Sequence, residues 1–213
     1  MNTGFKPKNN TRRLLDADYT KIGTWACLFG AEDDSKLTNG FELWETPSQA
    51  ISFYYGSSTN MVQTIPTSWR HVFDCDKNVY KVDNSITLTN GAATFSCANS
   101  LYLFAILRSG SVEFKSAYKL YSCQIYDNDV LVRDFIAAKL SDGTFGLYDK
   151  LSGLLYINAG TGTFEAGPSS LNLPVNIGGT WKDANEAFVN IGGTWKTVEA
   201  AFVNIGGIWK ELG

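Results

Sequence analysis

The residues of this sequence best suited to chemistry are a few acids and one histidine. "FELWE" carries Glu42 and Glu45. Glycoside hydrolysis needs two carboxyl groups facing one sugar. On a strand, a spacing of three sends Glu42 and Glu45 to opposite faces. "FDCD" places Asp74 and Asp76 on one face, with no third acid nearby and no Glu-x-Asp-x-Glu run anywhere. Ser/His/Asp catalysis would have to use His71, the only histidine, which opens a strand-like run in "SWRHVFDCD" and reads as structural. No phosphate-binding or dinucleotide fingerprint occurs. Cys27, Cys75, Cys97 and Cys123 are widely spaced, each inside an apolar run, without a C-x-x-C pair. They read as buried free thiols rather than two disulfides, and the lack of a C-x-x-C pair together with a single histidine argues against zinc. Such thiols suit folding in a reducing cytosol. The acidic loop "AEDDS", with Glu32, Asp33 and Asp34, is the best place for calcium, and an exposed turn explains it equally well.

Strands must position these groups. "RRLLDADYT", "TWACLFG", "GFELWE", "ISFYYG", "HVFDCD", "NVYKVDN", "ATFSCA", "LYLFAILR", "YKLYSCQIYD", "VLVRDFI", "FGLYD" and "LLYIN" follow one another at the spacing of a β-sandwich or barrel. In "GFELWE", Phe41 and Leu43 alternate against Glu42 and Trp44. "LYLFAILR" is apolar on both faces, as a central strand would be. Asp76-Lys77 and Asn128-Asp129 read as hairpin tips. Helical periodicity is nearly absent; "DANEAF" is too short to stand alone. The body is therefore predicted all-β, two antiparallel sheets closing over alternating faces.

The chain has 213 residues, 44% hydrophobic and 18% charged, enough for a real core. A net charge of −3 offers no basic stripe for nucleic acid. No run of about 18 apolar residues would span a membrane. "MNTGFKPKNNTRR" lacks the apolar stretch of a signal peptide.

Three ordered motifs then carry a family resemblance. Thr3, Gly4, Pro7, Asn10 and Thr11 form the first. Tyr121, Ile125, Tyr126, Asp127, Val132, Arg133, Asp134 and Phe135 form the second. Gly146, Leu147, Tyr148, Asp149, Tyr156, Asn158, Gly160, Thr161, Gly162 and Phe164 form the third. Residues 2–167 thereby resemble the concanavalin A-like (LamG-type) jelly-roll domains of phage and prophage tail or fibre proteins. Ala137-Ala138 departs from that pattern, where a proline often stands. The chain also opens at Asn2-Thr3-Gly4 without the Tyr-Ile that precedes it in similar sequences, which reads as a piece of a longer protein with Met1 supplied by expression.

A Gly- and Pro-rich stretch, "AGTGTFEAGPSSLNLP", ends the body. The domain reading is a jelly roll over 1–167, a linker over 168–174, and three 14-residue hairpin repeats over 175–213. Val-Asn-Ile-Gly-Gly-x-Trp-Lys begins at Val175, Val189 and Val203, and resembles short repeats ending phage tail and fibre proteins. In the middle copy a Gly192-Gly193 turn would set Asn190 opposite Trp195 and Val189 opposite Lys196. A lone hairpin is marginal in water, so Trp181, Trp195 and Trp209 are assigned to self-association, as a homotrimer, over the rival reading of sugar platforms.

The resemblance implies a non-enzymatic virion protein, assembled in the bacterial host cytoplasm, that binds a bacterial surface glycan and contacts other virion proteins. Trp44, Tyr54, Tyr55 and Trp69, in or beside loops and strand ends, are the candidate sugar contacts. No cofactor is expected apart from the calcium alternative. A purely structural decoration or assembly domain and a glycoside hydrolase are the competing functions.

Overall fold

The computed structural model describes residues 1–19, 23–34, 39–48, 50–64, 69–140, 142–158, 163–165, 173–177, 180–184, 188–197, 201–205 and 208–212. They fall into two compact units, Met1–Phe164 and Glu165–Gly213. Among the described residues there is no helix, so the chain is all-β.

The first unit contains β1 (Thr11–Tyr19), β2 (Ala26–Ala31), β3 (Gly40–Glu45), β4 (Ile51–Gly56) and β5 (Ser58–Gln63). Next come β6 (Trp69–Asp76), β7 (Val79–Val82), β8 (Ile86–Thr89), β9 (Tyr102–Leu103) and β10 (Ile106–Arg108). It ends with β11 (Ser111–Glu113), β12 (Lys119–Asp127), β13 (Val130–Lys139), β14 (Phe145–Asp149) and β15 (Leu154–Tyr156). One sheet has the order β15-β14-β13-β12-β1-β6-β7-β8. The other runs β11-β10-β2-β3-β4-β5, with β9 beside β2.

The two sheets form a β-sandwich because alternate residues of each contribute to one core. Leu15, Phe73, Cys75, Tyr80, Cys123, Ile125 and Phe135 from the first sheet join Phe29, Phe41, Leu43, Ile51, Phe53 and Tyr55 from the second. Phe53 stacks on Tyr80 across the layers, ring centroids 5.8 Å apart. Arg13, also buried between the layers, lays its guanidinium 3.8 Å from the centre of the Phe29 ring. All four cysteines are free and buried. The other face of the first sheet meets water through cross-strand ion pairs, including Arg12 with Asp74 at 2.8 Å and Arg70 with Asp16 at 2.7 Å.

Turn chemistry fixes the registers. Asn128 and Asp129 both take positive φ (52° and 63°), joining β12 to β13 with Asp127 opposite Val130. At the other tip, Asp76 pairs with Val79, so the turn is Lys77-Asn78, one residue later than the sequence reading, with Lys77 at φ 55°.

Three further expectations are corrected. "LYLFAILR" is not one central strand: Phe104, at φ 57°, breaks it into β9 and β10. A left-handed residue there turns the chain, so the run cannot stay extended. The sheets are not wholly antiparallel either, because β10 emerges from that break parallel to β2, Ile106 opposite Gly30. "ATFSCA" forms no strand of its own. It pairs with the N-terminal segment instead: Asn9 N–H donates to Phe95 O at 3.1 Å and Cys97 N–H to Pro7 O at 2.8 Å.

The second unit holds β16 (Leu173–Ile177), β17 (Thr180–Ala184), β18 (Phe188–Ile191), β19 (Thr194–Thr197), β20 (Ala201–Ile205) and β21 (Ile208–Leu212). Each successive pair is its own two-stranded antiparallel sheet. Asn176 faces Trp181, Asn190 faces Trp195 and Asn204 faces Trp209. Gly192 and Gly193 take φ of 60° and 86°, the mirror-image turn that suits strand twist. The side chains of Trp181, Trp195 and Trp209, most of the 168–174 linker and the Gly160-Thr161-Gly162 run lie outside the described residues.

Candidate functional site: an aromatic hollow on the outer face of the second sheet

Alternation on β3 sends Phe41 and Leu43 into the core and Glu42 and Trp44 to the face turned away from it. Tyr54 stands opposite Glu42 on β4. There Cys27, Trp44 and Ile106 form a second apolar cluster, with Tyr54 and Phe114 packed against it. Trp25, Trp44, Tyr54, Arg108 and Phe114 surround an open hollow of about 170 Å³. Pockets that engulf a drug-sized molecule run to ~300–1,000 Å³, so this hollow suits one ring laid against aromatic surface.

Its aromatic frame is packed edge to face. Trp44 meets Phe114 edge-on at 4.9 Å and Trp25 edge-on at 6.1 Å. Trp44 is 5% exposed and forms the floor, whereas Trp25 is 45% exposed and forms the rim. Half-buried amphipathic rings of this kind present an apolar face and a polar tip together.

Charge lies beneath and beside the rings. Trp44 Nε1–H donates to Glu42 Oε2 at 2.5 Å, while Glu42 Oε1 is buried with no hydrogen-bond partner among the described residues. Burial pushes the Glu42 carboxyl up to about 8, and the neighbouring Glu32 carboxylate pushes the same way; Trp44 and Arg108 oppose them. Arg108 Nη2 donates to Glu113 Oε2 at 2.8 Å, and its Nη1 lies 3.5 Å from Glu32 Oε2. Its guanidinium sits 5.1 Å from the centre of the Phe114 ring.

Of the four aromatics predicted to touch sugar, the structure brings Trp44 and Tyr54 together here. Tyr55 goes elsewhere: it is 3% exposed in the core, packed edge-on against Phe95, and its hydroxyl donates to Asn9 O. Neighbours on a strand face opposite ways, so Tyr54 and Tyr55 cannot share a ligand. Trp69 begins β6 opposite Tyr19, and its side chain lies outside the described residues. Trp25, Arg108 and Phe114 were missed. Trp25 had a signal, an indole at the mouth of "TWACLFG". Arg108 and Phe114 had none, since only the break at Phe104 folds their segment back beside β2.

Several of the other acids weighed for chemistry are engaged in the fold. Asp33 Oδ1 accepts the Ala98 amide at 2.6 Å and its Oδ2 accepts Asn39 Nδ2–H at 3.0 Å. Glu32 faces Arg108, and among the described residues no three His, Cys, Asp or Glu side chains converge on a metal position. Asp74 accepts both Arg12 hydrogen bonds, at 2.9 and 2.8 Å. His71 Nδ1 pairs with Asp83 Oδ2 at 2.7 Å, and its Nε2 is buried. Glu45 points inward, accepting the Gly23 amide and the Tyr118 hydroxyl, each at 2.8 Å.

Comparison with protein-family models, with curated proteins and with solved structures finds no match for this chain.

Proposed function

We propose that this protein is a non-enzymatic glycan-binding β-sandwich whose ligand face is the hollow framed by Trp25, Trp44, Tyr54, Phe114 and Arg108. The observation that carries the reading is Trp25. A large indole left 45% exposed at the rim of a packed aromatic floor is an unfilled stacking surface. The resemblance of the three ordered motifs supports a concanavalin A-like jelly roll from a phage tail or fibre protein, and hence a bacterial surface glycan as ligand. Self-association through the 175–213 repeats as a trimer would present several weak sites at once and raise their joint strength. Molar mass of the full chain in solution tests the trimer.

The test of the ligand face is binding of the full chain to an immobilised panel of bacterial polysaccharides, repeated with Trp25→Ala. Binding should fall roughly tenfold or more, ~1.4 kcal/mol per decade, with the thermal midpoint unchanged. Undiminished binding would move the ligand to another face. No binding to any glycan would favour the structural decoration reading.

One observation favours the hydrolase alternative. Glu42, protonated at neutral pH on the ligand side of the sheet, has the character of a general acid. Yet Glu42 and Glu32 are both 0% exposed, with Glu42 Oε2 on the Trp44 indole and Glu32 Oε2 beside Arg108, and neither lines the hollow. Release of reducing ends from a bound polysaccharide, lost in Glu42→Gln, would establish hydrolysis.

A further inference from the structure

Among the described residues Arg108 is the cation lining the hollow, and the carboxyl groups of Glu113, Glu32 and Glu42 stand around that guanidinium rather than in the lining. Arg108 Nη2 is held by a 2.8 Å hydrogen bond to Glu113 Oε2, and its Nη1 lies at ion-pair distance, 3.5 Å, from Glu32 Oε2. Glu42 lies close behind, near enough to act on Arg108 electrostatically. With Glu42 neutral, two carboxylates, Glu113 and Glu32, still stand against the Arg108 guanidinium among the described residues. Glu32 is sealed under the sheet, while Glu113, on the edge strand β11, keeps 40% of its side chain in water. A ligand carboxylate or sulfate reaching Arg108 would have to displace Glu113 and sit near Glu32. Like charges so placed repel, the more strongly the less water reaches them.

Resting on the glycan-binding reading, we propose that Glu113 is a specificity residue: by occupying Arg108 it restricts the hollow to non-acidic sugars, neutral or amino-bearing, and rejects uronic-acid and sulfated ones. Stacking on Trp25 and Trp44 then supplies contact, and the Arg108–Glu113 pair supplies exclusion, the repulsive half of selectivity. Removing the Glu113 charge frees a guanidinium whose planar fork matches a carboxylate. The site should then accept acidic sugars.

The experiment compares the full wild-type chain with Glu113→Gln on matched oligosaccharides differing only in a hexose, a hexosamine or a hexuronic acid at one position. The wild type should bind the hexose and hexosamine members at least about tenfold more tightly than the uronate. Glu113→Gln should raise uronate affinity by about tenfold and leave hexose affinity within twofold. Added salt should narrow the wild-type gap, because screening weakens the repulsion. A wild type preferring the uronate, an unchanged ratio in Glu113→Gln, or a gap indifferent to salt would each overturn the proposal while leaving glycan binding in place. A wild type that binds none of the panel, nor any polysaccharide, removes the glycan-binding reading and this proposal with it.

Discussion

Trp44 donates its indole N–H to the Oε2 of Glu42, two residues earlier on the same strand, at 2.5 Å. The pair shares one face of β3, so the floor of the hollow is held by a carboxyl group that the ring itself covers. Fixing an aromatic platform this way costs a buried carboxyl with one oxygen, Oε1, left without a hydrogen bond among the described residues. Neutralisation by a proton is the cheap solution, and the pull of Glu32 strengthens it.

The contribution of Glu42 to stability should therefore fall as pH rises through neutrality. Glu42 binds its proton more tightly folded, at about 8, than unfolded, at 4.5. Between those values the native state holds more protons, so unfolding becomes easier with each unit of pH, at ~1.4 kcal/mol per unit for one group. Above about 8 this dependence ends. The groups around Glu42 are Glu32, Arg108, Trp44 and the thiols of Cys27 and Cys97, both pushed up by burial. Wild-type urea midpoints measured from about pH 5 to pH 9 should fall, relative to Glu42→Gln, as pH rises; in both proteins the Met1 ammonium, lowered by burial to about 6, works in the opposite direction between about 6 and 8. Equal slopes in the two proteins would rule out Glu42 as the source.

Asp149 predicts the opposite sign. Burial pushes its carboxyl up, but the amides of Asp134 (2.9 Å) and Leu151 (3.2 Å), the Ser152 hydroxyl (2.8 Å) and nearby Arg133 outweigh that and hold it below 3.8. Its contribution is present above the unfolded value and disappears as pH falls through the lowered one. Asp149→Asn should cost about 2–3 kcal/mol at neutral pH, the worth of hydrogen bonds to a buried charge. The difference from wild type should shrink in acid. A constant difference down to about pH 2 would show that shape, rather than charge, carries the effect.

Much of this architecture was legible and some was not, for local reasons. The "FELWE" alternation set Phe41 and Leu43 inward and Trp44 outward because a strand's period is fixed by its backbone. Asn128-Asp129 announced its hairpin because few residues accept positive φ twice running. The same alternation already implied that Tyr54 and Tyr55 could not both face a ligand. Arg13 could not be read as core, since a charged residue in "RRLLDADYT" looks like the wet face. What puts it inside is its register, opposite Cys75 and Ile125, and the Phe29 ring waiting in the other sheet. The hollow draws Trp25, Trp44, Tyr54, Arg108 and Phe114 from several strands and loops. Only the left-handed Phe104 and the parallel β10–β2 pairing bring Arg108 to it.

Gly56 closes β4 at φ 71°, where a Cβ would lie 2.5 Å from the Cβ of Ala93. Two penalties coincide there, left-handed backbone and a backbone-anchored clash. Gly56→Ala should destabilise by more than the ~1–2 kcal/mol of the conformation alone. Gly110, at φ 78° with nothing within 4 Å of its added Cβ, should lose only the conformational part on mutation to Ala. Comparing the two by thermal unfolding separates strain from contact; equal losses would mean that Ala93 gives way freely.

Arg13 is the least economical residue of the core. Its side chain is fully buried, and among the described residues Nε, Nη1 and Nη2 meet no oxygen acceptor, only the weakly accepting Cys123 sulfur. Burial pulls its proton affinity down, and the thiols of Cys123 and Cys75 beside it oppose that only in part. A guanidinium remains charged all the same, so the fold carries a poorly compensated cation between its sheets. The Phe29 face, 3.8 Å away, offsets a share, ~2 kcal/mol or more for a desolvated contact. An apolar side chain of similar length should do better. Arg13→Met is predicted to raise stability by about 1–4 kcal/mol, the range seen when buried charge gives way to well-packed apolar groups. Arg13→Ala should gain less or lose outright, since it opens a void against Phe29. Urea unfolding of both variants decides the matter. A loss of several kcal/mol in Arg13→Met would mean that the guanidinium meets an anionic partner, and the Cys75 and Cys123 thiols would be the first groups to titrate in search of it.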